Sequence, residues 1–329
     1  MPKVSKVSRM PKMTKVTKVT EEHEMSKMTE MSSHGPHPLF KLLFSYESEP
    51  AFFSKYGEED AFLVPQIDQL ADILNRVRVR QPVVHAITNL VTVGDVADAL
   101  RSVGARPIMA FAAEEVSEIV SRADALVLNL GTPTPERITA MILAGRQANL
   151  LKKPVIFDPV GAKASKFRIE STKRTLSEVR MAVIKGNRAE IGGLAGQEGQ
   201  LRGLDAVSGP EDLRAAAEAL SRRMGAVIAI SGQQDLVVQE GRAVVVENGD
   251  PLMGQVTGTG CMLTAVIAAF AAVEADAMMA TVAATVCFGL AGEQAARLAK
   301  GLGSFKTALL DSLYVLTSKD IGDGARVGE

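Results

Sequence analysis

Short apolar runs recur along the chain from residue 82 onward, and amphipathic stretches with helical spacing separate them. The apolar runs, many of them rich in β-branched residues, occupy 82–88, 106–111, 125–130, 154–158, 181–185 and 226–231. The amphipathic stretches occupy 92–103, 113–122, 134–149, 171–180 and 211–224. Runs that are apolar on both faces are typical of strands in a buried parallel sheet. Strands that alternate with helices at this spacing predict an α/β fold.

Two further patterns follow the last of these runs. Residues 236–239 and 243–246 are apolar and flank a short polar segment at 240–242, which predicts a β-hairpin. An Ala-rich helical block comes next at 261–299, and another helical stretch lies at 305–317. These patterns predict that the fold ends with a short antiparallel unit and a group of helices.

Composition and charge narrow the class of protein. Apolar residues make up 47% of the chain and charged residues 23%, which are ordinary values for a globular protein. The formal net charge is −1, so neither nucleic acid nor an anionic membrane is an expected partner. The longest apolar run, 261–273, is too short to span a bilayer. The two cysteines, Cys261 and Cys287, cannot form a disulfide framework, which favours a reducing, cytoplasmic location.

The first 62 residues differ in kind from the rest of the chain. Residues 1–20 repeat a basic triplet without any acid, and residues 39–62 are unusually rich in Phe and Tyr. A period of three matches neither a strand nor a helix. We therefore predict a low-complexity tail over 1–62, either unstructured or an organellar targeting peptide, and a single folded domain over 63–329.

Polar or glycine-rich residues follow six of the predicted strands. They are Thr88-Asn89, Met109, Asn129 with Gly131-Thr132, Asp158-Pro159-Val160-Gly161, Lys185-Gly186-Asn187, and Ser231-Gly232. Ligands of open α/β sheets bind beyond the carboxyl ends of the strands. One such strand end is typical of any turn, but six together indicate a binding site built along this edge of the sheet.

The segment V-T-G-T-G-C, residues 256–261, directly precedes the Ala-rich helix. Glycine lets the backbone approach a ligand closely, and free N–H groups at a helix N-terminus form an anion hole that the helix dipole reinforces. The anion that fits such a hole is a phosphate or a phosphoryl group in transfer. The same position is expected to lower the pKa of Cys261 and favour its thiolate. The alternative is a Gly-rich turn that only caps a buried helix.

Two carboxylates and a lysine are candidates for binding a metal ion and phosphates. Asp158 ends one apolar strand, and Glu190 follows Asn187 by three residues, so the latter two share a face if that segment opens a helix. Such hard oxygen ligands suit Mg²⁺ when phosphates complete its shell. Lys185 ends its own strand, where its cation would meet phosphates. The structural alternatives are a turn or cap role for Asp158, a helix-dipole role for Glu190 and a snorkelling Lys185.

Other catalytic chemistries find less support. Residues 301–307, G-L-G-S-F-K-T, are similar to a P-loop but lack the glycine before the lysine, and no strand precedes them. Three of the four histidines lie in the predicted tail, which disfavours a histidine zinc site. His85 lies inside a predicted strand and Cys287 inside the Ala-rich block, so both are expected to be core residues.

Eight motifs, taken in order, resemble those of the hydroxyethylthiazole kinase family. They are H-A-I-T-N (85–89), P-I-M-A (107–110), L-V-L-N-L-G-T (126–132), D-P-V-G-A (158–162), I-K-G-N-R-A-E-I (184–191), A-I-S-G (229–232), V-T-G-T-G-C (256–261) and G-S-F (303–305). The resemblance covers about residues 66–320. It implies a ribokinase-like three-layer sandwich, with a mainly parallel central sheet flanked by helices, and makes 63–329 a single kinase domain.

The same resemblance implies an activity. The family uses ATP and Mg²⁺ to phosphorylate the primary hydroxyl of 4-methyl-5-(2-hydroxyethyl)thiazole, which salvages the thiazole half of thiamine. It is typically a homotrimer with active sites at its subunit interfaces.

The resemblance also implies a role for each candidate residue. At the transferring phosphoryl group it places an anion hole of Gly258, Thr259 and Gly260, beside Cys261 in the position where most ribokinase-like enzymes have an aspartate base. At the thiazole it places Met109, Gly258 and, close to them, Asn89. At ATP it places Lys185, Ser231, Asn187 and Thr257, although the family often has Arg in place of Lys185 and Thr in place of Ser231. At Mg²⁺ it places Asp158 and Glu190.

Three other functions stay open from the sequence alone. A pyrimidine-phosphate kinase of the same pathway also carries G-T-G-C before a helix, although H-A-I-T-N and K-G-N-x-x-E favour the thiazole enzyme. A nucleotide- or thiamine-binding homologue without catalysis is less consistent with the presence of Cys261, Asp158 and Glu190. A nucleic-acid role for the basic tail is disfavoured by the near-neutral net charge.

Overall fold

Nine strands form one sheet within residues 66–196 and 210–329, the parts of the chain that the computed structural model describes. The strands are β1 (Val83–Ile87), β2 (Arg106–Ile108), β3 (Ala125–Asn129), β4 (Val155–Asp158), β5 (Val183–Asn187), β6 (Val227–Ser231), β7 (Asp235–Gln239), β8 (Arg242–Val246) and β9 (Val327–Gly328). Their spatial order is β2-β1-β3-β4-β5-β6-β7-β8-β9. Strands β1 to β6 pair in parallel and β6 to β9 pair antiparallel, so the sheet is mainly parallel, as predicted.

Helices connect these strands and close the domain. They are α1 (Ile67–Arg80), α2 (Val93–Val103), α3 (Val116–Arg122), α4 (Pro135–Leu150), α5 (Lys166–Glu178), α6 (Arg188–Ala195), α7 (Pro210–Met224), α8 (Thr259–Ala271), α9 (Ala277–Leu298), α10 (Leu302–Val315) and α11 (Ser318–Gly324). A short 3₁₀ helix at Pro251–Gly254 precedes α8. Among the described helices, none has the combined length and apolar character of a transmembrane span.

The sheet separates two hydrophobic cores because its side chains alternate between its two faces. In β3, Val127 packs into the core with α1, α2, α8, α9 and α10, whereas Leu126 and Leu128 pack into the core with α3, α4, α6 and α7. Both sets of strand residues are fully buried, as a parallel sheet covered on both faces requires. The result is the three-layer α/β sandwich that the sequence predicted.

Element boundaries depart from the predictions where a polar side chain decides them. The predicted block 261–299 is two helices, because the Asp276 side chain accepts the N–H groups of Met278 and Met279 and so begins α9. Helix α5 begins five residues earlier than predicted, because Ser165 caps it by accepting the N–H of Arg168. The sequence analysis did not predict α1, α11 or β9. The predicted tail at 1–62 lies outside the described residues.

Arg78 closes the C-terminal end of α10. Its guanidinium donates to the carbonyls of Leu316, at 2.5 Å, Tyr314, at 3.0 Å, and Leu313, at 3.1 Å. These carbonyls have no helical partner, and the helix dipole makes this end attractive to a cation. Arg78 therefore fixes α10 to the end of α1, where β1 is about to start, at the amino edge of the parallel strands.

We expect Arg78→Met to lower the free energy of unfolding by about 2 kcal/mol, because hydrogen bonds from a charged donor are lost and partly buried carbonyls stay unpaired. Denaturant unfolding followed by circular dichroism measures this loss. Arg80→Met, at an exposed position on the same helix end, is the control and should change the stability by less than about 0.5 kcal/mol. Equal stabilities of the two variants would contradict the assignment.

Candidate active site

The turn at 256–261 begins α8 with its backbone N–H groups uncovered. Gly258 is the N-cap residue of α8, with φ of +98°, and no side chain caps the first N–H groups of this helix. The hydroxyl of Thr259 instead donates to the carbonyl of Met253, at 2.7 Å, which ties the turn to the short 3₁₀ helix that precedes it. Free N–H groups at the positive end of a helix dipole attract an anion. This local geometry is what the predicted anion hole requires.

Two asparagine amides contact the sulfur of Cys261 in the first turn of α8. The Nδ2 atoms of Asn89, after β1, and of Asn129, at the end of β3, each lie 3.3 Å from Sγ of Cys261. Asn89 Nδ2 also donates to Oδ1 of Asn129, at 3.1 Å, so the two amides and the thiol form one cluster. Both asparagine side chains are buried, and Cys261 is half-buried. The strand ends of β1 and β3 thus meet the start of α8.

The expectation that Cys261 is a thiolate is wrong. Burial raises the pKa of its thiol, and the neighbouring Asp158 carboxylate raises it further. Hydrogen bonds from Thr92 and Asn129 and the charge of Lys185 act in the opposite direction but do not overcome the rise. The helix dipole argument considered only the position at a helix start and left out the acid and the burial. The thiol is therefore neutral at physiological pH.

Asp158 joins the same cluster from the end of β4. Its Oδ2 accepts hydrogen bonds from Asn129 Nδ2, at 2.8 Å, and from the hydroxyl of Thr264 in α8, at 2.9 Å. Burial raises its pKa from 3.8 to about 6, because Lys185 lowers it by less than burial raises it. The ionised carboxylate is therefore energetically unfavourable in the protein without ligands, and a cation placed beside it would stabilise it.

Lys185 points its ammonium into the site and does not snorkel to solvent. The side chain is only 3% exposed, and its Nζ donates to the carbonyl of Gly260, at 3.1 Å. A Cβ atom on Gly260 would lie 3.1 Å from this Nζ, so a side chain there would push the ammonium slightly away from the turn. The end of β5 thereby brings a positive charge next to the first turn of α8.

Glu190 and Asn187 cap α6 and hold the loop after β4. Oδ1 of Asn187 accepts the N–H of Glu190, and Oε2 of Glu190 accepts the N–H of Asn187, both at 2.9 Å. Oε1 of Glu190 accepts the N–H of Gly161, at 3.1 Å. The segment does open a helix, as the i, i+3 spacing required, and the helix-start role is present in the structure. Glu190 also ties this helix start to the loop that follows Asp158.

The remaining candidate residues lie along the same edge of the sheet. Ser231 pairs with Asn187 across β5 and β6, and it lines a small cavity together with Lys185. Thr257 is exposed on the turn itself. Met109 directly follows β2 and packs, half-buried, against the core on the α8 side of the sheet. The predicted site residues therefore all lie at the carboxyl edge of the parallel strands or on the turn that faces it.

Three residues of this site were absent from the sequence-based candidates. Thr264 bonds to Asp158, and Thr92 lies against both Gly258 and Cys261. Asp235 accepts the N–H of Gly232, at 2.8 Å, lines the cavity beside Lys185, and has its pKa raised by burial to about 6. Only the polarity of Thr264, one turn into an otherwise apolar helix, offered a signal in the sequence.

The fold of this chain is the ribokinase-like fold. A ribokinase-like superfamily protein from Enterococcus faecalis has the same fold, with a TM-score of 0.54 at 14% identity over 78% of this chain and 98% of that one. Residues 74–319 match the family described as the hydroxyethylthiazole kinase family. The chain therefore belongs to the hydroxyethylthiazole kinase family, which makes it a phosphotransferase.

Individual relatives agree with this assignment. A hydroxyethylthiazole kinase from Thermoanaerobacter pseudethanolicus is 51% identical over 258 residues, which span 78% of this chain and 98% of that protein. Another from a Roseiflexus species is 45% identical over 265 residues, 80% of this chain and 98% of that protein. The solved structure of a hydroxyethylthiazole kinase from Pyrococcus horikoshii superposes on this chain with a TM-score of 0.74 at 40% identity, and the match covers 79% of this chain and 98% of that one.

Proposed function

We propose that this protein transfers the γ-phosphoryl group of ATP to the primary hydroxyl of 4-methyl-5-(2-hydroxyethyl)thiazole, giving the thiazole phosphate used to make thiamine diphosphate. The observation that carries the proposal is that three functional groups lie close together and share hydrogen-bond partners. The uncapped N–H groups that start α8, the Cys261 thiol and the buried Asp158 are linked through Asn129 and Thr264. Phosphoryl transfer depends mainly on positioning and on charge neutralisation, and this arrangement supplies both.

On the acceptor side, Cys261 orients the hydroxyl rather than removing its proton. A neutral thiol with a raised pKa is a poor base, and a loose transition state needs little proton abstraction early. Asn89 holds the thiol from one side. In this proposal Gly258, at the start of α8, contacts the substrate next to the thiol. Met109 supplies apolar contact to the thiazole ring.

On the donor side, the chain supplies positive charge where the phosphates lie. The backbone N–H groups of Gly258, Thr259 and Gly260, with Lys185 beneath them, stabilise the negative charge that moves onto the transferring group. In this proposal Ser231, Asn187 and Thr257 contact the nucleotide. Their places beside Lys185, at the start of α6 and on the turn support this role.

The acidic residues fit a Mg²⁺ ion that is shared with phosphates. No group of three or more His, Cys, Asp or Glu side chains in the described residues forms a protein-only metal cage. Both hydrogen bonds to Asp158 go to Oδ2, and its buried charge calls for a cation, so Asp158 fits direct ligation. Each oxygen of Glu190 already accepts a backbone N–H, so Glu190 fits ligation through water. When bound, Mg²⁺ neutralises charge on the phosphates.

The experiment that tests this function is ADP release by the full chain, with the thiazole alcohol as acceptor, with and without Mg²⁺. Hydroxymethylpyrimidine in place of the thiazole alcohol distinguishes the pyrimidine kinase alternative. Tight binding of the thiazole alcohol without ADP release would favour a non-catalytic binding protein. Turnover of the thiazole alcohol alone, and only with Mg²⁺, is the expected result.

Replacing Cys261 separates orientation from base catalysis. We expect Cys261→Ala to keep part of the activity, with a loss of about 10- to 100-fold in kcat, because proton transfer by a positioned group contributes at most about 10²–10⁴-fold and this thiol is a weak base. Cys261→Asp should keep or raise kcat, because a carboxylate there accepts the proton more readily. Steady-state kinetics of both variants measure this, with Cys287→Ala as the buried-cysteine control. A folded but inactive Cys261→Asp would show that position 261 does not face the hydroxyl.

The proposal includes a homotrimer with its active sites at the subunit interfaces, in the cytoplasm. Leu90 and Val91, directly after Asn89, are 64% and 66% exposed. Neighbouring apolar side chains that are exposed beside a binding site are typical of a surface that another subunit covers. The free thiols of Cys261 and Cys287 are consistent with a reducing compartment.

A further inference from the structure

A buried arginine without a carboxylate partner lies on the side of β1 opposite α8. Arg137, in the first turn of α4, is only 8% exposed. Burial lowers the pKa of its guanidinium, and no charged neighbour in the described part of the chain offsets this effect. The Nε atom has no hydrogen-bond partner among the described residues. A cation at the N-terminal end of a helix also opposes the helix dipole. The buried unpaired charge, the Nε atom without a partner and the unfavourable helix dipole all cost stability, so Arg137 calls for an explanation other than stability.

The contacts that Arg137 does make lead directly to the acceptor side of the site. Its Nη2 donates to the carbonyl of Thr88, the residue before Asn89. Its guanidinium lies over the ring of Phe111, with Cζ 4.9 Å from the ring centroid. One side chain thus ties the end of β1 to the segment that follows β2.

A second buried side chain ties the same two segments together. His85, in β1, is fully buried, and its Nε2 donates to the carbonyl of Ala110, at 2.9 Å. Burial lowers the pKa of His85, so the ring is neutral, and Nδ1 has no partner in the described residues. Ala110 lies between Met109 and Phe111. The segment around Met109 is therefore held by His85 at the Ala110 carbonyl and by Arg137 at the Phe111 side chain.

We propose that Arg137 is a positioning residue for the alcohol acceptor: it fixes the Thr88–Asn89 strand end against the Met109–Phe111 segment. This inference rests on the proposed function, in which Asn89 and Met109 line the acceptor subsite. Asn89 reaches the Cys261 sulfur directly, so a shift of its backbone changes the place at which the hydroxyl is held. The two contacts of the Arg137 guanidinium described above, with Thr88 and Phe111, both lie away from β5 and β6, which build the nucleotide side.

The test compares Arg137→Met and Arg137→Lys with the wild type. Methionine keeps the apolar volume and removes the buried charge, which offsets the loss of the hydrogen bond to the Thr88 carbonyl, so the melting temperature of Arg137→Met should stay close to that of the wild type. The KM for the thiazole alcohol should rise about 10-fold, while the KM for ATP changes less than about twofold. Arg137→Lys should recover part of the acceptor affinity, because it donates to Thr88 but cannot lie flat on Phe111.

Arg78→Met is the matched control, because it also removes an arginine that holds backbone carbonyls, but at the amino edge of the sheet. It should lose stability and keep both KM values. If Arg137→Met raises the two KM values equally, leaves both unchanged, or lowers stability as Arg78→Met does without a KM change, the inference is overturned.

Amide hydrogen exchange tests, without any substrate, whether Arg137 holds these two segments. In Arg137→Met, amide exchange should become about 10-fold faster in residues 87–92 and 109–112 and stay unchanged on β5 and β6. Unchanged exchange in the first two segments also overturns the inference. A wild-type protein that does not phosphorylate the thiazole alcohol refutes the proposed function instead, and the exchange result still decides whether Arg137 holds these segments.

Discussion

Gly258→Val is expected to lower kcat/KM for the thiazole alcohol by about 10²–10³-fold, the loss associated with displaced oxyanion-hole donors. At φ of +98° a β-branched side chain is strained, and its Cβ would lie 2.8 Å from Cγ2 of Thr92. The turn must move away from α2 to relieve this contact, and it carries the N–H groups of Thr259 and Gly260 with it. Since Lys185 is bonded to the carbonyl of Gly260, its ammonium shifts as well.

Gly254→Ala is the control for this prediction, because Gly254 lies in the same connection, and a Cβ there meets no atom within 4 Å. The control should keep nearly full activity. Steady-state kinetics, with thermal melting to confirm that both variants fold, make the comparison. A Gly258→Val variant that retains more than about a tenth of the wild-type kcat/KM would show that these N–H groups do not face the reacting phosphoryl group.

The strand ends could be predicted from the sequence because parallel strands carry their carboxyl ends to one edge. Asn89, Asn129, Asp158 and Lys185 each follow or end a run of apolar residues, so the fold class alone brings them together. The turn at 256–261 was recognisable because two glycines directly before an apolar helix allow positive φ and a close approach of the backbone to a ligand. These inferences needed only the order of elements along the chain.

The contacts within the site could not be predicted in the same way, because they depend on distances across the sandwich. Thr264 lies in an apolar helix, and only its approach to Asp158 distinguishes it from a core threonine. The pKa of Cys261 depends on its burial and on Asp158, which lies far away along the chain, so the helix start alone gave the wrong direction. Arg137 follows a proline-initiated helix start, where the sequence indicates an exposed position rather than a buried cation.

Asp158→Asn is expected to stabilise the ligand-free protein at neutral pH while it removes activity. The folded carboxyl titrates at about 6, above its ordinary 3.8, because burial disfavours the charge. Below pH 3.8 both folded and unfolded states are protonated. Between these two values the unfolded state loses its proton first, so the free energy of unfolding falls as the pH rises, and above pH 6 the loss is constant. Two pKa units correspond to about 3 kcal/mol at most, so the variant should exceed the wild type by up to that amount at pH 8.

Denaturant unfolding of both proteins between pH 4 and 8, without nucleotide or divalent cation, measures this difference. Asp98→Asn, at an exposed position on α2, is the control and should stay within about 0.5 kcal/mol of the wild type. A gap between Asp158→Asn and wild type that does not widen as the pH rises would contradict a buried, ionised Asp158. Adding Mg²⁺ with ATP should stabilise the wild type more than the variant, because only the carboxylate offers its charge to a cation. The same buried charge that costs stability in the empty protein would then be the reason why Asp158 is suited to bind the metal ion.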